Sequence, residues 1–249
     1  MASQSEREIK TLKEIADTYW EDQLSLRAPK RTYETPHDAE SITRLVTTNC
    51  LAVLEPSSPR MRNFIKRCII LCTYEMSAIE GSQAEFLLTE CFWQIDQLFF
   101  FGLLTRKVDH MLDGPRNLVV LKFPPKAEPY YGLFSDGVMT IWLRIVGRGS
   151  QSFVELLFCL IRLCCTAWLR IFSDKRHPMY REMLRKHFWH GEMFQKLFTF
   201  VAGYITNRIP RNTFKNPGYF QLGMHLEQKY IDWHKQPRKR YWLWHLVNL

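Results

Sequence analysis

Three stretches of this chain carry side chains with the means to do chemistry. "CLIRLCCTAWLRIF", residues 159–172, sets Arg162 and the vicinal Cys164 and Cys165 in an apolar run. "HFWHGEMF", 187–194, places His187 and His190 close together, with Glu192 after them. "HKQPRKRYWLWH", 234–245, joins a basic cluster to an aromatic one.

Metal or thiol chemistry meets geometric obstacles in the first two. Adjacent cysteines on a helix point about 100° apart, so Cys164 and Cys165 share no ligand face. Cys159 and Cys164 are not at i, i+3 or i, i+4 spacing either. A buried apolar helix also raises a thiol pKa and hides it from redox partners. His187 and His190 would share a face only on an unbroken helix, and "FWHG" reads as a break. In the third stretch, Lys235, Arg238, Lys239 and Arg240 suit phosphates, and Tyr241, Trp242 and Trp244 suit stacking on bases. The same residues also read as a basic turn followed by a hydrophobic tail that packs on the core. The chain holds no glycine-rich phosphate loop, no Gly-x-Ser-x-Gly and no dinucleotide fingerprint. Ser135-Asp136 and the scattered histidines form no recognisable triad.

The bulk properties narrow the class. A chain of 249 residues is long enough for a real core. Its net charge of +9 favours anionic partners or is simply a basic soluble surface. The cysteine count, seven, is odd, and none forms a Cys-x-x-Cys pair, which argues for a reducing compartment and against a thiolate zinc cage. "MASQSEREIK" lacks the apolar core of a signal peptide. The longest apolar stretch, 152–169, is interrupted by Glu155 and Arg162, which argues against a membrane span. A nuclear or cytoplasmic protein with no membrane partner is expected.

Periodicity supplies the elements that must position these groups. Residues 5–26 form an amphipathic helix with Ile9, Leu12, Ile15, Ala16 and Tyr19 on one face. Further helices are expected at about 41–54, 60–80 and 83–101, with a break at Gly81-Ser82 and a stop at Gly102. Three short strands follow, about 117–123, 131–135 and 138–146, the last two joined by an Asp136-Gly137 hairpin turn. Ser150 or Ser152 caps a helix over 152–172 that is apolar nearly all round and belongs at the centre of a domain. A charged helix at 179–187 and an amphipathic one at 190–208 complete the order.

That order carries a resemblance. Residues 92–200 resemble the SprT-like domain, the zinc-metalloprotease domain of Spartan-type DNA–protein crosslink proteases. The matching segments are "QLFFFGLL", "YYGLFSDGVMTIWL", "TAWLRIF" and "HGEMFQKL". The resemblance implies an α+β fold, mostly helical, with a small three-stranded sheet packed on the central apolar helix as a zincin-like core. Together with periodicity and composition it divides the chain into a helix (1–26), a linker (27–40), a helical segment (41–82), the SprT-like domain (83–208) and a basic, tryptophan-rich extension (209–249).

In that family the central helix carries His-Glu-x-x-His, whose two imidazoles lie one turn apart and grip zinc, with a glutamate that activates water. Aligned on "AWL", the motif falls on Arg162, Leu163, Cys164, Cys165 and Thr166. His190 matches the third zinc ligand, although Trp189 replaces the glycine before it. Arg162 has no lone pair to offer a metal, Leu163 cannot take a proton, and Thr166 is a poor ligand. His190 alone cannot hold zinc. The degenerate positions are therefore Arg162, Leu163, Thr166 and His190, with no metal and no cofactor expected. A buried cation needs a partner, and Glu155, two turns back, and Glu192 are the expected ones. The resemblance implies a pseudo-metalloprotease that acts by binding DNA or chromatin-associated proteins. The alternatives are a protein-interaction module with no nucleic-acid role, or an enzyme using a site of another kind.

Overall fold

The structure, a computed structural model, describes residues 3–24, 32–73, 81–110, 112–128, 131–145, 149–150, 152–178, 180 and 191–210. Helix α1 (Gln4–Leu24) turns Leu12, Ile15, Ala16, Tyr19 and Trp20 inward and packs this face within the same chain. Asp38 caps α2 (Ala39–Asn49), its carboxylate accepting from the N–H groups of Glu40 and Ser41 at 3.0 Å. The helix expected over 41–54 is broken at Cys50, whose extended backbone separates α2 from the short α3 (Leu51–Leu54). Pro59 opens α4 (Pro59–Thr73), at a position where the missing N–H costs nothing. Gly81 and Ser82, expected as a break, instead start α5 (Gly81–Phe99).

The sheet region is more divided than its periodicity suggests. Strands β1 (Lys107–His110) and β2 (Gly114–Asn117) form an antiparallel hairpin. Strands β3 (Val120–Lys122), β4 (Gly132–Ser135) and β5 (Val138–Ile141) form the expected three-stranded sheet, in the order β3-β5-β4. β3 runs parallel to β5, and β4 antiparallel to it. The stretch 117–123 is thus not one strand. Leu118 and Val119 are fully buried between sheets, and their N–H groups donate to Arg106 O and Leu104 O. The stretch 138–146 also breaks, at Trp142-Leu143, before β6 (Arg144–Ile145) pairs with β7 (Gly149–Ser150). Asp136 and Gly137 make the hairpin turn with φ of 49° and 74°, as a two-residue primed turn requires. Only glycine fits at 137, because a Cβ there would lie 2.5 Å from the Trp20 ring.

Helix α6 (Phe153–Phe172) is buried at every position except Glu155, Arg162 and Arg170. It contacts α1, α2, α4, α5, β4, β5 and α7 (Glu192–Thr206), and so lies at the centre of an α+β fold. Trp168 is wholly buried, its ring 4.6 Å from that of Phe172 and 5.4 Å from that of Phe100. One hydrophobic cluster runs from Leu12 on α1 to Ile209 beyond α7. Among the described residues no helix is long and apolar enough to cross a membrane.

Candidate functional site

The three charges of α6 lie on one stripe together with Cys159 and Thr166, because residues three, four or seven apart share a helix face. Ser152 and Glu155 form a reciprocal capping box at its start. Ser152 Oγ accepts from Glu155 N at 3.3 Å, and Glu155 Oε2 accepts from Ser152 N at 2.9 Å and Ser152 Oγ at 3.1 Å. The stripe faces β4 at very short range. A Cβ on Gly132 would lie 2.8 Å from Cys159 Sγ and 3.0 Å from Leu163 Cδ1, so glycine permits this approach.

Both arginines reach the strand. Arg162 Nη2 donates to Gly132 O at 2.7 Å and lies 3.9 Å from Cys159 Sγ. Arg170 Nη1 donates to Phe134 O at 2.7 Å, and its guanidinium sits 5.7 Å from the centre of the Phe134 ring. Thr166 Oγ1 donates to Arg162 O at 2.9 Å, a bond within the helix that ties up its hydroxyl hydrogen. Leu163 is buried against the sheet.

Of the predicted positions, Arg162 and Leu163 therefore meet β4, and Thr166 lies one turn further along the same stripe of α6. The expected carboxylate partners of Arg162 stand differently. Glu155 is engaged in the helix cap, Glu192 is exposed at the start of α7, and the strand carbonyl of Gly132 takes the guanidinium. His190, and the basic residues Lys235, Arg238, Lys239 and Arg240, lie outside the described residues. The side chains at 162, 163 and 166 do not fit a zinc ion: a guanidinium repels it, and an aliphatic chain offers no donor. Among the described residues no group of three or more His, Cys, Asp and Glu side chains could hold a metal. Thiol chemistry on this helix is also disfavoured. Burial pushes the Cys164 thiol well up, with Cys165, Asp96 and Cys159 adding to the shift. Burial likewise raises Cys159, while Arg162 pulls it back.

Two features escaped the reading of the sequence. Arg170 does not figure among the expected site residues, yet it follows Arg162 by eight residues, which on a helix sets the two about a quarter-turn apart on one side. Asp96, on the apolar face of α5, is fully buried. Its Oδ1 accepts from Leu104 N at 3.0 Å, and its Oδ2 accepts from Thr105 N at 2.8 Å and Thr105 Oγ1 at 2.6 Å. Burial raises this carboxyl to about 6, against the lowering effect of those bonds. An aspartate in register with Leu88, Phe92 and Phe99 was the sign available in the sequence. Searches of protein-family models, curated proteins and solved structures find no match to this chain.

Proposed function

We propose that this protein acts by binding rather than by catalysis, as a degenerate SprT-like domain with a zincin-like core. The observation that carries this reading is the state of Arg162. In the alignment on "AWL" it takes the position of the first metal ligand of such a protease, and its guanidinium donates to Gly132 O at 2.7 Å. A permanent cation in that place repels a divalent ion, and the neighbouring Leu163 supplies no base for activating water. The partner class that goes with this reading is DNA or chromatin-associated protein, in the nucleus or the cytoplasm. The net charge of +9 supports an anionic partner.

Two measurements on the full chain test it. Metal analysis of protein purified without chelators is expected to find zinc far below one per molecule, and stoichiometric zinc overturns the non-catalytic reading. Fluorescence anisotropy with DNA, at about 50 mM and about 200 mM salt, is expected to reveal binding that weakens steeply as salt rises. Replacing Lys235, Arg238, Lys239 and Arg240 by alanine is expected to flatten that slope. An absent response removes the nucleic-acid partner. It leaves the second reading, a protein-interaction module, which is favoured by Phe86 and Trp93, 64% and 45% exposed and two turns apart on α5.

A further inference from the structure

A β-strand at the end of a sheet offers a row of outward N–H and C=O groups to any extended chain that comes near. Strand β4 ends the three-stranded sheet, and among the described residues no strand lies beyond it. Its register identifies the outward groups. Trp142 N donates to Tyr131 O at 3.2 Å, and hydrogen bonding in an antiparallel pair alternates from one residue to the next. Tyr131, Leu133 and Ser135 therefore bond toward β5. Gly132 and Phe134 turn their N–H and C=O groups toward the open edge. Those two carbonyls are the ones that Arg162 and Arg170 take, each at 2.7 Å.

We infer that Arg162 and Arg170 form a guard that closes the β4 edge to strand addition, whether by a second copy of this chain or by an extended peptide. An incoming strand needs both outward carbonyls as acceptors for its own N–H groups, and a guanidinium already donates to each and stands in its path. It would also have to displace two guanidiniums, one of them held over the Phe134 ring. The opposite edge is protected by other means: β3 is only three residues long and ends in the exposed Lys122. The inference rests on register and hydrogen bonding, and it stands whether or not the chain is related to the SprT-like proteases. It adds to the proposed function that a partner is not gripped along β4.

The test is the double variant R162M/R170M in the full chain, compared with wild type by analytical ultracentrifugation and amide hydrogen exchange. The variant is expected to self-associate at least about tenfold more tightly than wild type. Its Gly132 and Phe134 amides are expected to gain protection as concentration rises, because strand addition pairs them. A folded variant with wild-type association and unchanged exchange overturns the inference, as does concentration-dependent protection of those amides in wild type. Should the variant not fold, the guanidinium protons of wild type decide by NMR. Those of Arg162 and Arg170 are expected to exchange at least about tenfold more slowly than those of the exposed Arg62, and equal rates overturn the guard.

Discussion

At the scale of single residues, Asp96 carries the clearest consequence. Its carboxyl is raised from 3.8 to about 6, so the folded chain binds this proton more tightly than the unfolded chain does. Its contribution to stability is full below about pH 4 and is lost as pH rises through about 6. With ~1.4 kcal/mol per pKa unit, the loss is roughly 3 kcal/mol. D96N removes the titration. Urea unfolding at pH 4 and pH 7.5 is expected to find wild type losing roughly 2 kcal/mol more than D96N between the two conditions, part of the effect being already lost at pH 4. Equal losses in both proteins would contradict the assignment. Arg162 teaches a related lesson. Its misfit in an apolar helix is plain from residue type alone, whereas its acceptor is a backbone oxygen thirty positions away. No side-chain pattern records a carbonyl, so this acceptor has no signature in the sequence.

At the scale of elements, the contact between α6 and β4 determines the geometry of the candidate site. Gly132 is its closest point, with Thr140 O and Cys159 Sγ each 2.8 Å from where a Cβ would stand. Gly132→Ala is expected to destabilise by about 1–3 kcal/mol in chemical denaturation, since a backbone oxygen cannot move aside cheaply. Gly81→Ala, where nothing lies within 4 Å, is the matched control and is expected to be neutral or slightly stabilising. The start of α6 depends on its cap. Ser152→Ala removes the hydroxyl half of the capping box, leaving Glu155 N without its side-chain acceptor, and is expected to cost about 1 kcal/mol in the same assay. Helix α6, its cap and the Asp136-Gly137 turn were legible because each signal spans only a few consecutive residues. The splitting of 117–123 was not legible. A short apolar run looks the same whether it lies in one strand or crosses between two sheets.

At the scale of the whole molecule, α1 is part of the fold rather than an arm. Leu12, Ile15, Ala16, Tyr19 and Trp20 are buried, and the Trp20 ring packs on the β4–β5 turn at Gly137. Arg106 of the loop before β1 also pairs with Asp17, its Nε lying 2.7 Å from Oδ1. The full chain is expected to melt in one cooperative transition in calorimetry and the chain lacking residues 1–26 to show none, with Leu12→Ala costing about 2–5 kcal/mol. A docking arm for a partner would instead leave the transition in place when removed.

What the sequence determined by itself is local: an α+β chain, an amphipathic first helix, a central apolar helix with a cationic flaw, a tight hairpin, and the lack of metal-binding chemistry at 162, 163 and 166. Period, capping and side-chain donor chemistry are properties of neighbouring residues, so they can be read without a fold. The tertiary structure alone decided the strand order β3-β5-β4, the burial of α1 against its own chain, and the commitment of Arg162 and Arg170 to the edge of β4. Those outcomes depend on which surfaces meet across long stretches of chain, and on backbone groups that every residue shares and no sequence pattern distinguishes.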